Sequence, residues 1–165
     1  MKSVKGFTLI ELMIAISVLA ILIAIAAPGL SGWIDSSSAR AQTNQYRDML
    51  TYARSEAISK GEPVRVKQLA SGAWVVGTGD PASCTAATAL RCFSAPRVDM
   101  TVTTNVTGQE FPAAGLVFNT QGQVRGKAPA DSVAIQIVFP KHCEASRIIS
   151  VNGIGRVRSV VGACS

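Results

Sequence analysis

Three groups of residues in this chain have types and spacings that could do chemistry. A single carboxylate, Glu11, lies inside an otherwise apolar run. Two arginines, Arg156 and Arg158, stand two residues apart near the C-terminus, and a guanidinium presents a planar fork that suits phosphate oxygens. Four cysteines follow the apolar run, without a Cys-x-x-Cys pair: Cys84, Cys92, Cys143 and Cys164. The chemistry suggested is charge pairing in a membrane, anion binding and disulfide formation.

The apolar run predicts a membrane helix. It extends from Phe7 to Ala27, and as a helix it would be about 31 Å long, enough to cross a bilayer core. Lys2 and Lys5 precede the run, so the positive-inside rule predicts a cytoplasmic N-terminus and an extracytoplasmic remainder. A cleaved signal peptide and a plain signal anchor are the alternatives, and both leave Glu11 unexplained.

Glu11 is the most informative of these residues, because a carboxylate within a bilayer costs several kcal/mol and usually marks a function or a partner. If the chain is cut after Gly6, Phe7 becomes a new N-terminus with a charged amine. Glu11 could then pair with that amine along the same helix face, or with the amine of a neighbouring subunit. Either pairing would offset the cost of the carboxylate.

The cysteines predict two disulfides, since an even number in an exported domain favours pairing. Three connectivities are open, and the nearest pairings, Cys84–Cys92 and Cys143–Cys164, are preferred. His142 is the only histidine, so we expect neither a metal site nor a cofactor. A catalytic pair of His142 with Cys143 is weighed and rejected, and the scattered carboxylates do not suggest hydrolysis. We therefore expect no catalytic residues and no enzyme.

The elements that position these residues are one long helix and a set of short strands. Helical periodicity predicts a helix from about Phe7 to Lys60, with a kink or local melting at Pro28-Gly29. Gly61 and Pro63 signal its end. Residues 79–96 read as a loop. Strands are predicted over 63–69, 73–78, 97–106, 115–119, 133–139, 147–151 and 154–160, with hairpins at Ser71-Gly72 and Asn152-Gly153. The predicted fold class is α+β.

The C-terminal hairpin would place both arginines on one face. Residues two apart in a strand point to the same side, so Arg156 and Arg158 would face outward while Val157 packs inward. Gly155 would let another backbone approach, and Arg147 and Lys141 are predicted to lie nearby. The formal net charge of +6 agrees with binding to an anionic polymer, although solvated strand charges or pairs with a neighbouring subunit's acids would give the same pattern.

The N-terminal residues resemble a known targeting signal. Lys-Gly-Phe-Thr-Leu-Ile-Glu, residues 5–11, is similar to the class III signal of type IV prepilins and pseudopilins. The resemblance implies cleavage after Gly6 by a prepilin peptidase, N-methylation of Phe7, and a role for Glu11 in registering the incoming subunit. It also implies a long helix packed on an antiparallel sheet, an inner-membrane assembly platform, and other pilins, major and minor, as filament partners.

Segments further along the chain narrow the resemblance to the FimT/FimU and GspH group of minor pilins and pseudopilins. They are residues 52–58, 61–64, 115–122 and 155–158. In the FimT branch, Gly-Arg-x-Arg is associated with DNA binding during transformation, which implies that Gly155, Arg156 and Arg158 contact double-stranded DNA without sequence preference.

Three domains and three functions follow. We expect a cleaved leader (1–6), a transmembrane and filament-core helix (7–28) and a periplasmic or surface domain (29–165) of an inner-membrane protein that later enters a filament. The functions considered are a DNA-binding minor pilin, a structural minor pilin that primes assembly or sits at the tip, and a pseudopilin of a type II secretion system. A soluble DNA-binding regulator is excluded by the membrane helix.

Overall fold

The computed structural model describes residues 7–97, 100–106, 108–139 and 145–162. The chain divides into two compact units, Met1–Ile34 and Asp35–Ser165. One helix, α1, is assigned from Leu9 to Lys60 and contributes residues to both units. The other elements described, eight β-strands, all belong to the second unit.

Helix α1 has the extent that the sequence predicts, apart from its first two residues. It ends at Lys60, and Gly61 follows with a left-handed φ of 65°, which glycine adopts without a Cβ penalty. Helix α1 continues through Pro28 and Gly29, so the local melting considered from the sequence is not observed there. A proline removes one backbone hydrogen bond from a helix, and the remaining hydrogen bonds can keep the chain helical across it.

The part of α1 in the first unit presents large apolar side chains on its surface. They include Leu9, Leu12, Ile14, Leu19, Leu22, Ile23 and Ile25, each more than half exposed. Over the residues that the structure describes, no helix meets the length and apolarity required of a membrane span.

The strands of the second unit form two antiparallel sheets. The first has the order β3-β2-β1-β5 and the second the order β4-β6-β7-β8. The strand bounds are β1 Val64–Gln68, β2 Trp74–Thr78, β3 Ala89–Phe93, β4 Thr101–Thr103, β5 Leu116–Phe118, β6 Ser132–Val138, β7 Arg147–Asn152 and β8 Val157–Val161. The α+β class and the long helix with antiparallel sheets agree with the prediction.

The core of the second unit lies between the second half of α1 and the sheets. Tyr46, Met49 and Leu50 of α1 are fully buried, at the helical spacing that the sequence shows. The Trp74 ring packs edge-on against Tyr46, with ring centroids 5.6 Å apart, and against Phe111 at 5.2 Å. These aromatic contacts join the helix to the first sheet.

Two local predictions need correction. The segment 79–96 is not all loop, because Ala89–Phe93 forms the edge strand β3, which pairs with β2 through a register shift at Val76/Gly77. Its burial pattern lacks the alternation that a sequence search uses, as expected for an edge strand. The predicted strand 97–106 shortens to β4, Thr101–Thr103.

Candidate functional site

The N-terminus of α1 shows a capping arrangement around Glu11. Thr8 precedes the helix, and its hydroxyl accepts a hydrogen bond from the Glu11 backbone N–H at 3.2 Å. The Leu12 N–H donates to the Thr8 carbonyl, also at 3.2 Å. Thr-x-x-Glu is the capping-box pattern, in which the acid at the third helical position faces the positive end of the helix dipole.

This cap changes the expected geometry of Phe7 and Glu11. Phe7 precedes the helix rather than forming its first turn, and its side chain is 87% exposed. The predicted pairing of the Phe7 amine with Glu11 along one helix face requires both residues to be helical. Phe7 lies before the helix, so the two groups are not placed on one helix face. Pairing of Glu11 with a neighbouring subunit's amine remains compatible with the exposed carboxylate. Gly6 lies outside the described residues.

The C-terminal hairpin turns through a longer loop than Asn152-Gly153 alone. The last pair of the ladder is Val151 with Val157, and the Asn152 N–H donates to the Arg156 carbonyl at 3.1 Å. The Asn152 side chain accepts from the Arg156 N–H at 2.8 Å. The left-handed residue is Gly155, with φ 79°. The Asn152-Gly153 signal therefore predicted that a hairpin forms here, but it did not identify all the residues that form the turn.

Gly155 is needed because other backbone lies close to it. A Cβ at this position would lie 2.1 Å from the Gly122 carbonyl oxygen. The Arg54 guanidinium of α1 donates to the Gly155 carbonyl at 3.1 Å. Arg54 also lies against Gly122, where an added Cβ would be 2.9 Å from its Nε. Arg54 thus joins α1, the 119–123 turn and the hairpin loop.

This junction brings together three of the segments that carry the family resemblance. Residues 52–58 contain Arg54, residues 115–122 end at Gly122, and residues 155–158 begin at Gly155. Sequence reasoning missed Arg54 as a positioning residue, and it missed Thr8 as a cap. The Thr-x-x-Glu spacing could have revealed Thr8, whereas a single arginine in a helix gives no local signal of a partner 101 residues away.

Arg156 and Arg158 do not both lie in the strand that the sequence predicts over 154–160, because β8 begins at Val157 and Arg156 belongs to the preceding loop. Both are exposed, while Val157 between them is partly buried and packs against the core. Arg158 is paired with Ser150 across the strands. Within the described residues, the guanidiniums of Arg156 and Arg158 make no hydrogen bond or ion pair. Both charges are therefore available to an anion, Arg156 from the loop that Arg54 contacts at Gly155 and Arg158 from strand β8.

Arg147, which was predicted to lie near the arginine pair, is on the partner strand β7 but not on the same face as Arg158. It pairs with Val161, three positions along the ladder from the pairing of Ser150 with Arg158. Because strand side chains alternate, a three-residue offset places Arg147 on the opposite face. It lines a cavity of about 290 Å³ together with Arg40 and Asn44 of α1. Lys141 lies outside the described residues.

A disulfide joins Cys84 to Cys92, the pair preferred from the sequence. It attaches the loop before β3 to a residue of that strand. Cys143, Cys164 and His142 lie outside the described residues, so the second predicted pairing stays a prediction.

The perturbed ionisable groups of the second unit lie away from the hairpin. Lys67 donates a hydrogen bond to Asp80 at 3.0 Å and thereby lowers the pKa of that carboxyl. Burial raises the pKa of Tyr46 to about 12. Within the described ranges, no three His, Cys, Asp or Glu side chains are grouped to hold a metal ion. The hairpin is suited to binding an anion through the exposed guanidiniums of Arg156 and Arg158.

Comparisons with known proteins agree with this architecture. The family model described as Type II transport protein GspH matches residues 42–155, and the prokaryotic N-terminal methylation motif matches residues 1–27. No curated protein matches the chain significantly.

Solved structures of two proteins share the fold. The type IV minor pilin FimU of Pseudomonas aeruginosa, in one crystal form, is 22% identical with a TM-score of 0.52, over 75% of this chain and 90% of that chain. A second crystal form gives a TM-score of 0.53, over 74% of this chain and 84% of that chain. The minor pseudopilin EpsH from the Type 2 Secretion System of Vibrio cholerae is 13% identical with a TM-score of 0.52, over 75% of this chain and 97% of that chain.

The family match covers more than half of the chain, and the methylation motif covers residues 1–27. The chain belongs to the GspH family and is a protein of the minor pilin and pseudopilin class.

Proposed function

We propose that this chain is a filament subunit, made as a prepilin, cut after Gly6, methylated at Phe7 and anchored in the inner membrane by residues 7–28 before assembly. The methylation motif over residues 1–27 supports this proposal, and so does the row of exposed apolar side chains on α1. The prepilin peptidase, an assembly platform and neighbouring pilins are the partners implied. Glu11 contributes a charge for registering the subunit.

We further propose that the exposed domain binds double-stranded DNA through Arg156 and Arg158, as a minor pilin that takes part in DNA uptake for transformation. The observation that carries the proposal is the pair of exposed arginines on either side of the partly buried Val157, at the start of β8. Because only one residue separates them, their Cα atoms are at most about 7 Å apart. Two arginines at this spacing can contact successive phosphates, each through a bidentate fork.

The surroundings of the pair fit contact with a polyanion. The Arg54 guanidinium lies under the loop and adds positive charge near Gly155. Few aromatic side chains lie near the hairpin in the sequence, so base stacking is not part of the proposal. Binding would rest on phosphates, and we expect it to be independent of sequence and to weaken as salt rises.

The test is a titration of the fragment 29–165, in oxidised form, with duplex DNA at low and moderate salt. Arg156→Ala/Arg158→Ala is the test variant. Arg47→Ala/Arg125→Ala is the matched control, because it removes two exposed arginines elsewhere and the same net charge. We expect salt-sensitive binding that the test variant loses and the control largely keeps. Equal binding by wild type and test variant, or loss of binding in both variants alike, would contradict a hairpin site.

The second candidate is a structural role without DNA, either as a minor pilin that primes assembly or occupies the tip, or as a pseudopilin of a type II secretion system. The match to the Type II transport protein GspH model favours it. Absence of DNA binding by the wild-type fragment would favour this role. Deleting the chain would then impair either pilus assembly or the release of secreted proteins, and the affected process would separate the two forms of this candidate.

A further inference from the structure

We propose that Trp33, with Leu30 and Ile34, lies in the lipid headgroup region on the extracytoplasmic side and fixes the end of the membrane helix before the subunit enters a filament. This inference rests on the proposed membrane anchoring of residues 7–28. The partner is a lipid surface, recognised by an indole and two aliphatic side chains.

The three side chains form an exposed apolar patch within the first unit. Trp33 is 69% exposed, Leu30 55% and Ile34 42%. Positions three and four apart share one face of a helix, so the three residues point to the same side. The sequence around them is small or polar, from Gly32 to Ser38. An indole has an apolar ring and one polar N–H, a combination enriched where hydrocarbon meets water.

The position of Trp33 along α1 matches the depth of the headgroups. It lies six residues beyond Ala27, which is about 9 Å at the rise of an α-helix. A headgroup layer is about 5–8 Å thick on each side of the hydrocarbon. Helical side chains lean toward the helix N-terminus, so the indole of Trp33 lies over the preceding turn, closer to the bilayer than its own Cα. That lean brings the ring into the headgroup layer.

The patch also continues the apolar surface of the membrane helix. Leu22 lies eleven residues before Trp33, close to three helical turns, and therefore on nearly the same side. Leu22 and Ile23 are each 59% exposed. A helix with these side chains in hydrocarbon would present Trp33 to the lipid at the same face, without a change of orientation.

The test uses the full chain reconstituted at low protein-to-lipid ratio in vesicles of phosphatidylcholine and phosphatidylglycerol. The chain has only two tryptophans, and Trp74 is fully buried in the core of the second unit. The emission of Trp33 is isolated twice, in Trp74→Phe and as the difference between wild type and Trp33→Phe. The second route keeps the test valid if Trp74→Phe fails to fold. Quenchers are lipids brominated near the headgroup, lipids brominated deep in the acyl chain, and aqueous acrylamide.

We expect the Trp33 emission to shift to the blue in vesicles and to lose most of its intensity to the shallow bromines. Deep bromines should quench it less, and Trp74 should respond to neither lipid. Strong quenching by acrylamide without quenching by bromine would overturn the inference, and so would strongest quenching by deep bromines. Flotation of the chain with the vesicles is scored separately. Failure to float would contradict the membrane anchoring itself, whereas flotation without shallow quenching would contradict only the role of Trp33.

Discussion

At the residue scale, the position of the arginine pair depends on the glycine that precedes it, Gly155. Gly155 combines a left-handed φ of 79° with a neighbouring carbonyl oxygen that would lie 2.1 Å from an added Cβ. Its own carbonyl accepts the Arg54 guanidinium. Glycine is the residue that meets both demands, and Arg156 follows it directly. The direction in which Arg156 leaves the loop is thus set by packing against Gly122 and Arg54.

The cost of a side chain at Gly155 can be separated from the cost of its backbone conformation. Gly126 has φ 77° with no atom within 4 Å of an added Cβ, so Gly126→Ala carries the conformational strain alone. We expect it to lower the free energy of unfolding by about 1–2 kcal/mol. Gly155→Ala adds a backbone clash and should cost roughly 3 kcal/mol or more. Urea denaturation of the fragment 29–165 measures both, and equal costs would contradict the packing role.

Tyr46 gives the second prediction at this scale. Its pKa is raised to about 12 by burial, although Trp74 and Gln42 beside the hydroxyl act to lower it. Within the described residues, the hydroxyl makes no hydrogen bond of normal geometry. A raised pKa in the folded state means that the contribution to stability is complete below the unfolded pKa of about 10 and is lost as pH rises to about 12. The loss should reach roughly 2–3 kcal/mol.

Tyr46→Phe removes the titrating group and keeps the ring. We expect this variant to be about as stable as wild type at neutral pH, because the hydroxyl makes no hydrogen bond of normal geometry, and to lose less stability between about pH 10 and about pH 12. Denaturation curves across that range measure the difference. An unchanged alkaline slope in the variant would show that Tyr46 ionises without unfolding the core.

At the element scale, strong periodicity and turn residues made most of the fold predictable. The end of α1 at Lys60 and the central strands β1, β2, β6 and β7 follow from runs of apolar residues bounded by glycine and proline. Strand β3 was missed, because an edge strand with two exposed residues lacks alternation. The exposure of Arg156 and Arg158 was predictable, although Arg156 lies in the loop before β8 and not in the strand. The face of the sheet on which Arg147 lies was not predictable, because it depends on the register of β7 with β8.

The disulfide is an element-scale constraint on the loop before β3. Cys84 and Cys92 are eight residues apart, and closing so short a loop removes entropy from the unfolded chain worth about 2–3 kcal/mol. Cys84→Ser/Cys92→Ser should lower the free energy of unfolding by that amount. Backbone pairing of β3 with β2 should keep the variant folded. Urea denaturation checks the loss, and unchanged stability would mean that the loop is ordered without the bond.

Peptide mapping without reduction tests the same pairing independently. We expect one fragment that links Cys84 with Cys92 and a second that links Cys143 with Cys164. A link between Cys84 and either C-terminal cysteine would contradict the preferred connectivity.

At the scale of the whole molecule, the two units have different proposed roles. The first unit presents apolar surface along α1, and the second unit holds its own core and its exposed arginines. In the proposed function, the subunit assembles through the first unit and contacts other molecules through the second. Changes at the hairpin should therefore leave assembly intact, and changes at Glu11 should leave the fold of the second unit intact.

Glu11 has two physical explanations, and variants can separate them. As the third residue of a capped helix it stabilises the first turn, a role that glutamine shares. As the partner of a neighbouring subunit's amine it must be charged. Glu11→Ala removes both functions, whereas Glu11→Gln removes the charge and keeps the capping pattern. If pairing between subunits is the function of Glu11, both variants should insert in the membrane and both should assemble poorly.

We expect incorporation into filaments to fall roughly tenfold or more in both variants, because tenfold corresponds to about 1.4 kcal/mol and an unpaired amine in the filament core would cost at least that much. The measurement compares the chain in sheared filaments with the chain in membranes, by immunoblot. Normal assembly of Glu11→Gln beside defective Glu11→Ala would assign Glu11 to the helix cap. Normal assembly of both variants would remove Glu11 from the mechanism, and registration of the subunit would then have to rest on the packing of apolar side chains along α1.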